Sequence, residues 1–163
     1  MPEDRKVEGL LLDFPGTWNL TLPILRTSIA RRGVISADRE LRTAHSTAAI
    51  AGIRGDIRPP AGTLSGGNQQ KMVLAKWIAA GSRVLYLNQP TRGVDVGSKA
   101  EIYTLIRKLC AEDQVAALVV SREISELKGL CDRILVMSHG TLSAEFPITA
   151  SEEEILAGAV GGM

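Results

Sequence analysis

The sequence contains no apolar run long enough to cross a bilayer, and its charges are nearly balanced. The longest apolar runs, such as residues 115–120, fall far short of the roughly 20 residues that a membrane-spanning helix needs. The formal net charge of +1 gives no electrostatic reason to expect a nucleic-acid partner or a membrane surface. The stretch "MPEDRKVEG" is charged where a secretory signal is apolar. These absences favour a cytoplasmic globular protein.

Cysteine and histidine are also scarce, which bears on disulfides and metals. The two cysteines, Cys110 and Cys131, fit reduced thiols of a cytoplasmic protein better than a disulfide framework. His45 and His139 have no Cys or acidic neighbours at the spacing of metal ligands. We therefore expect no metal site built from these residues.

The second half of the chain has the pattern of an α/β protein. With 163 residues, 45% of them hydrophobic, the chain is long enough for one domain with a buried core. Apolar strands are predicted at 83–88, 115–121 and 133–137, with amphipathic helices at 98–112 and 123–130. Strands that alternate with helices in this way are typical of a parallel sheet.

The two ends of the chain are expected to differ from this α/β region. Residues 141–146 are predicted to pair antiparallel with the preceding strand, and Ser151 with Glu154 forms a capping box that opens a last helix. Near the start, the first 62 residues are expected to be mainly helical, with one helix over 36–54.

A Gly-rich turn, "TLSGGNQQK" at 63–71, is the most informative motif. Ser65 precedes a helix, and Gly66 and Gly67 keep side chains away from its first turn. Free N–H groups, a hydroxyl and two glycines at a helix N-terminus form a cradle for an anion. Taken alone, the same residues also fit a simple helix cap with a glycine turn, and that interpretation is the more common one.

The context of this turn resembles the ABC-transporter ATPases. "LSGGNQQK" is similar to their signature motif, and "VLYLNQPTRGVD" at 84–95 is similar to the Walker B strand and D-loop that follow it. "PEDRK.EG" at 2–9 and "SREISELKGLCDRILVM" at 121–137 extend the resemblance over nearly the whole chain. It is closest to the second ATPase half of sugar-uptake proteins.

The resemblance implies a P-loop NTPase-like ABC nucleotide-binding domain, with a parallel sheet and a helical subdomain. Residues 1–62 would hold the Q-loop side and the helical part. Residues 63–146 would hold the signature, Walker B, D-loop and core sheet, and residues 147–163 a C-terminal helix and tail. We expect a domain truncated at its N-terminus, because the phosphate-binding motif G-x-x-x-x-G-K-[ST] of Walker A is absent from the sequence.

The chain also departs from the family at its Walker B strand. Family members end this strand in Asp-Glu, which serve Mg²⁺ binding and water activation, whereas here the matching residues are Asn88 and Gln89. An amide carries no charge and takes up no proton at neutral pH. Loss of a general base alone costs a factor on the order of 10² to 10⁴. We therefore expect weak binding of Mg²⁺ and ATP and no hydrolysis by this chain alone.

The part of the motif set that acts across a dimer is intact. In the family, ATP lies between the P-loop of one domain and the signature of another. The resemblance implies that Ser65, Gly66, Gly67 and Gln69 contact a partner's ATP. Asp95 is either the D-loop acid at the dimer seam, a helix N-cap, or both. The implied partners are an ABC ATPase domain, as a homodimer or heterodimer, and permease subunits at the inner face of the membrane.

Three other hypotheses remain open at this stage. The chain could be a non-catalytic regulatory or dimerisation module for an intact ATPase, or a decayed remnant that folds poorly. A chromosome-maintenance ATPase head shares the Ser-Gly-Gly logic, but such a head would need coiled-coil heptads before residue 63, and none occurs there.

Overall fold

A computed structural model describes residues 1–160, and helices and strands alternate from α3 to β5. The helices are α1 (Gly16–Thr21), α2 (Ala37–Ile50), α3 (Gly66–Ala79), α4 (Val96–Glu112), α5 (Ile124–Leu130) and α6 (Glu152–Val160). The strands are β1 (Ala30–Arg31), β2 (Val34–Ile35), β3 (Val84–Asn88), β4 (Ala116–Val120), β5 (Arg133–Ser138) and β6 (Thr141–Pro147). Single turns of other helix types lie at Arg5–Gly9, Leu22–Ile24, Leu25–Ile29 and Ala61–Thr63.

The unit β3-α4-β4 is the α/β part of the fold. Strand β3 pairs with β4 in a parallel sheet. The N–H of Ala116, where β4 begins, donates to the carbonyl of Arg83, which precedes β3, at 2.9 Å. Both predicted strands are confirmed to within one residue at each end, because their apolar runs are short and bounded by polar turns. The helix between them begins at Val96, two residues before the predicted start.

Helix α3 lies at the centre of the core. The four consecutive residues from Met72 to Ala75 have no exposed surface. Four buried residues in a row exceed one helical turn, so this helix is covered on every side along that stretch. It packs against α1, α2 and α4. The helix that carries the Gly-rich turn is therefore held rigidly by the rest of the domain.

The first part of the chain is helical, as predicted, with a small hairpin that the sequence pattern missed. Helix α2 begins after Ser36, whose hydroxyl accepts a hydrogen bond from the N–H of Arg39 at 3.4 Å. It ends at Ile50 rather than at residue 54, because Gly52 (φ 64°) adopts the left-handed conformation that terminates helices. The hairpin β1–β2 was missed because each strand has only two residues.

The C-terminal part holds an antiparallel hairpin and a helix. Strand β5 pairs with β6, with Ile134 opposite Phe146, so the predicted hairpin is confirmed. The capping box is confirmed too. The N–H of Ser151 donates to the Glu154 carboxylate at 2.7 Å, and the N–H of Glu154 donates to the Ser151 hydroxyl at 3.2 Å. A separate apolar cluster supports this part, and its buried members are Ile134, Val136, Ala150 and Ile155.

The chain separates into two compact units, Met1–Leu118 and a second that begins at Val119. The division at residues 1–62, 63–146 and 147–163 stays a prediction. None of the helices in residues 1–160 is long and apolar enough to cross a membrane.

The alternating burial of β3 predicts a sharp contrast between residues on its two faces. Leu87 is 1% exposed and Val84 is 69% exposed on the same strand. Leu87→Ala is expected to lower the free energy of unfolding by about 2–5 kcal/mol, because it leaves a cavity in a rigid core. Val84→Ala, the matched control, is expected to cost far less. Chemical denaturation measures both, and equal losses would contradict the assigned face.

Candidate functional site

The first turn of α3 carries the predicted anion cradle. Ser65 is exposed and caps the helix, its hydroxyl oxygen accepting from the N–H of Asn68 at 3.4 Å. The predicted helix start is therefore confirmed. The N–H groups of a first helical turn lack intrahelical partners and stand at the positive end of the helix dipole. This end of α3 therefore offers hydrogen-bond donors and positive potential to an anion.

Gly67 brings α3 into direct contact with the start of α4. A Cβ atom placed on Gly67 would lie 2.2 Å from Oγ of Ser98 and 2.6 Å from its Cβ. Real side chains do not approach this closely, so a glycine is required here by the packing of the two helices. The second glycine of the signature therefore brings two helix N-termini together, in addition to any contact it makes with a ligand.

Asp95 caps α4 within the same junction. Its carboxylate accepts from the Ser98 N–H at 2.9 Å and from the Ser98 hydroxyl at 2.7 Å. These bonds, the backbone one first, hold the pKa of the Asp95 carboxyl below its ordinary value. The N-cap interpretation of Asp95 is confirmed, and its place at a dimer seam stays a prediction.

A cavity of about 360 Å³ opens where the two helices begin. Its lining includes Ser65, Asn68 and Lys71 from α3 and its cap, and Asp95, Ser98 and Glu101 from α4 and its cap. This volume falls in the range of small-molecule sites. The N-terminus of α3, the Ser65 hydroxyl and the Asn68 amide supply donors of the kind that a phosphate group uses. On the α4 side, the carboxylates of Asp95 and Glu101 line the cavity, and Asp95 caps the N-terminus of that helix.

Lys71 is a buried cation beneath this cavity, and it fixes the loop after α2. Its side chain is 5% exposed, pairs with Glu101, and donates to the carbonyl of Gly52 at 3.0 Å. The hydrogen bond from Lys71 lowers the pKa of the Glu101 carboxyl, and Arg54 adds a second ion pair at 2.8 Å. Because the Lys71 charge is paired, it stabilises the helix–loop junction and does not attract a ligand.

Gln69 faces inward, unlike Ser65. It is 6% exposed, and its amide nitrogen donates to the carbonyls of Leu64 at 3.0 Å and Ala61 at 3.3 Å. Its amide oxygen accepts from Nε of Arg5 at 3.4 Å. The side chain of Gln69 thus holds the preceding loop in place, and a contact of Gln69 with a partner's ATP stays a prediction.

The end of β3 presents the neutral pair to a different cluster. Gln89 adopts a left-handed backbone conformation, φ 47°. Non-glycine residues rarely adopt it, and such strain is concentrated at functional sites. The Gln89 amide nitrogen donates to the Glu3 carboxylate at 3.1 Å, and Glu3 also pairs with Arg92. The carboxylate beside Gln89 is therefore neutralised by a guanidinium.

These residues do not fit Mg·ATP bound by this chain alone. Asn88 and Gln89 supply amide oxygens without charge, and Glu3 is engaged by Arg92. Within residues 1–160, no group of three or more acidic, His or Cys side chains is placed to hold a metal ion. The α3 N-terminus, in contrast, presents hydrogen-bond donors to an anion.

Sequence reasoning missed two contributors to this region, Arg5 and Glu3. Both lie in "PEDRK", a segment that indicated a family resemblance and no contact of its own. The structure places Arg5 against the carbonyl of Arg92 at 2.9 Å and Glu3 beside Gln89. Separations of more than 80 residues in sequence give no local signal for either contact.

The close approach at Gly67 predicts that a second substitution restores the stability that a first one removes. Gly67→Ala is expected to lower the free energy of unfolding by about 1–3 kcal/mol, because Ser98 has to move. Removing that side chain with Ser98→Gly should recover much of the loss in the double variant, a coupling that a double-mutant cycle measures.

Gly66→Ala is the matched control for this cycle. A Cβ there meets Nη2 of Arg5 at 2.8 Å and does not meet Ser98, so Ser98→Gly is expected to recover none of the loss that Gly66→Ala causes. Additive losses for Gly67→Ala and Ser98→Gly would contradict the proposed contact.

The cap of α4 predicts a pH dependence. An unfolded Asp titrates near roughly 3.9, and the folded Asp95 titrates lower because Ser98 donates to its carboxylate. The stabilisation from Asp95 is therefore fully present above the unfolded pKa and is lost as pH falls through the folded one. NMR titration of the carboxyl carbon measures the shift. Ser98→Ala should raise the pKa only part way, because the backbone donor remains, and an ordinary value in the wild type would contradict the cap.

Comparison with known proteins finds sequence relatives along nearly the whole chain. No profile of a known protein family matches the chain. Ribose import ATP-binding protein RbsA 2 of Streptomyces avermitilis is 44% identical over 163 residues, which cover 99% of this chain and 32% of that protein. RbsA 3 of Rhizobium meliloti is 46% identical over 167 residues, with 96% and 31% coverage. The chain spans about a third of the length of these relatives.

Solved structures agree on the fold. A dimeric ATP-binding cassette in a post-hydrolysis state, bound to ADP and Pi, matches with a TM-score of 0.72 at 24% identity. The match covers 87% of this chain and 60% of the cassette. A metal-chelate-type ABC transporter in an inward-facing conformation matches with a TM-score of 0.77 at 13% identity, covering 93% and 60%. The chain is thus similar in sequence to part of the ribose import ATP-binding proteins, and it has the fold of part of an ATP-binding cassette.

Proposed function

We propose that the chain supplies its signature motif to the ATP site of a partner ABC ATPase domain and does not hydrolyse ATP by itself. The partner domain would bring the P-loop, the Mg²⁺ and the carboxylates. This chain would bring the first turn of α3, with Ser65, Gly66 and Gly67, and the acid Asp95 at the start of α4.

One observation carries this proposal: the N-termini of α3 and α4 meet at an open cavity of about 360 Å³. The N-terminus of α3 and the Ser65 hydroxyl favour an anion at that point, while the Asp95 carboxylate caps α4 beside it. No lysine at the cavity is available to hold a phosphate as a P-loop lysine does, since Lys71 is buried and paired with Glu101. The site therefore complements a nucleotide that another domain holds.

The end of β3, where Asn88 and Gln89 lie, lacks charge. Phosphoryl transfer depends on positioned charge around the metal and phosphate. Asn88 and Gln89 provide none, and the sequence has no phosphate-binding loop of the Walker A type. The binding of Mg·ATP by this chain alone is therefore expected to be weak, and its own turnover absent.

The partners and location follow from the relatives. Proteins named as ribose import ATP-binding proteins match the chain at 43–46% identity, and a related cassette is dimeric. We infer a complex with an ABC ATPase domain, as a homodimer or heterodimer, and with permease subunits. The complex would lie at the cytoplasmic face of the membrane, and its cargo would be a sugar of the ribose class.

A composite ATP site tests the proposal. The partner is an intact sugar-importer cassette whose own signature serine is replaced by arginine, here called the blocked cassette. Two blocked cassettes cannot complete a site for each other, so turnover requires a signature from this chain. ATP hydrolysis by the blocked cassette is expected to rise when the chain is added, while the chain alone stays at background.

Point variants locate the effect. Ser65→Ala is expected to lower the composite rate by about 10- to 100-fold, the value of a hydrogen bond to a charged group. Ser125→Ala, an exposed serine on α5, is the matched control and should leave the rate unchanged. Hydrolysis by the isolated chain that Ser65→Ala abolishes would contradict the proposal. A changed rate of an unblocked cassette, without activation of the blocked one, would favour a regulatory module instead.

A further inference from the structure

Arg5 joins two segments of the candidate site that are distant in sequence. Its Nη1 donates to the carbonyl of Arg92 at 2.9 Å, and its Nη2 donates to that of Gly93 at 3.4 Å. Both carbonyls belong to the turn that leads into Asp95 and α4. On its other side, the same guanidinium reaches the amide oxygens of Gln69 at 3.4 Å and Gln70 at 3.5 Å, in the first turns of α3.

The two glutamines are oriented toward Arg5 by their other bonds. The amide nitrogen of Gln70 donates to the carbonyl of Pro90 at 2.6 Å, and that of Gln69 donates to the carbonyl of Leu64 at 3.0 Å. With each nitrogen held by a carbonyl, each amide oxygen is left for Arg5. Gln69 and Gln70 are only 6% and 1% exposed, so water does not compete strongly for these acceptors.

The guanidinium also lies directly against the signature glycine. A Cβ atom on Gly66 would approach Nη2 of Arg5 to 2.8 Å and the carbonyl oxygen of Gly93 to 3.4 Å. Gly66, Gly93 and Arg5 therefore form one contact layer. In that layer, the distance between the start of α3 and the turn before α4 is set by the width of a planar guanidinium.

A lysine could not make the same set of contacts. The guanidinium presents five N–H donors in a rigid fork, whereas an ammonium is a compact charge with rotatable donors. Four of the donors of Arg5 are used on four acceptors from two segments. This use of the fork assigns Arg5 to holding protein segments together rather than to binding a phosphate directly.

We propose that Arg5 is a positioning residue that fixes the spacing between the signature turn at Ser65–Gly67 and the turn before Asp95. This inference rests on the proposed function, since the two turns are the surfaces offered to a partner's ATP. When Arg5 is lost, the turn at 90–94 keeps the bond from Gln70 to Pro90 but loses those at Arg92 and Gly93. A partner's nucleotide then has to order this second part of the turn on binding.

The composite ATP site with the blocked cassette tests this role. Arg5→Ala is expected to raise the KM for ATP about tenfold with a smaller change in kcat, because the binding surface then has to be ordered by the ligand. Millimolar guanidinium chloride should restore the wild-type KM by filling the vacated space, and an equal concentration of KCl should not. Arg5→Lys is expected to behave like Arg5→Ala, and Lys6→Ala, which removes a neighbouring exposed charge, like the wild type.

Hydrogen exchange gives a readout without any partner. In Arg5→Ala, the backbone amides of residues 91–95 are expected to exchange faster than in the wild type, and those of α6 to stay unchanged. Guanidinium should reverse the increase. An increase in exchange that guanidinium does not reverse, or one that spreads to α6, would show that Arg5 only stabilises the fold in general. Either result would overturn the proposal.

The outcomes separate the two proposals. A wild-type chain that fails to activate the blocked cassette contradicts the proposed function, and the exchange experiment then still decides the role of Arg5. A wild-type KM in Arg5→Ala overturns the positioning role alone. Restoration of the KM by Arg5→Lys would also overturn it, since charge rather than the fork would then be sufficient.

Discussion

The candidate site depends on one close approach, between Gly67 in α3 and Ser98 in α4. A methyl group at Gly67 would fall within 2.2 Å of Oγ of Ser98, so the two helices can start side by side only because a glycine stands there. That contact places the Ser65 cap and the Asp95 cap on one cavity. The proposed site for an anion therefore combines the uncapped donors at the start of α3 with the Asp95 turn beside it, because a helix dipole acts only within about the first turn.

The site divides into one part that is electrostatically favourable for an anion and one that lacks the charge of an ATPase centre. Near the start of α3, the cation Lys71 is paired with Glu101. The backbone N–H groups of the helix are therefore the donors that remain for an anion. At the end of β3, the amides Asn88 and Gln89 stand beside Glu3, whose carboxylate is paired with Arg92. This division is the basis for the proposal that the chain offers a surface to a partner's nucleotide and does not hydrolyse one by itself.

The sequence predicted the local features well, because short-range chemistry determines them. Ser36 and the Ser151–Glu154 capping box begin helices where expected, since each cap lies within three residues of its donor. The pattern was less informative where contacts are long-range. No pattern indicated that the Gln69 side chain bonds to Ala61, Leu64 and Arg5, and its contact with a partner's ATP stays a prediction. The role of Arg5 depends on a turn more than 80 residues away, which no periodicity reveals.

The most direct measurement is equilibrium binding of Mg·ATP to the purified chain, by calorimetric titration, with and without the blocked cassette. A phosphate cradle that lacks a P-loop and a charged Walker B pair should show no saturable binding at micromolar concentrations alone. In the mixture, binding should be tighter than to the blocked cassette alone, and Ser65→Ala should remove that gain. Tight, saturable binding of Mg·ATP by the isolated chain would contradict the conclusion that it offers only a surface for a partner's nucleotide.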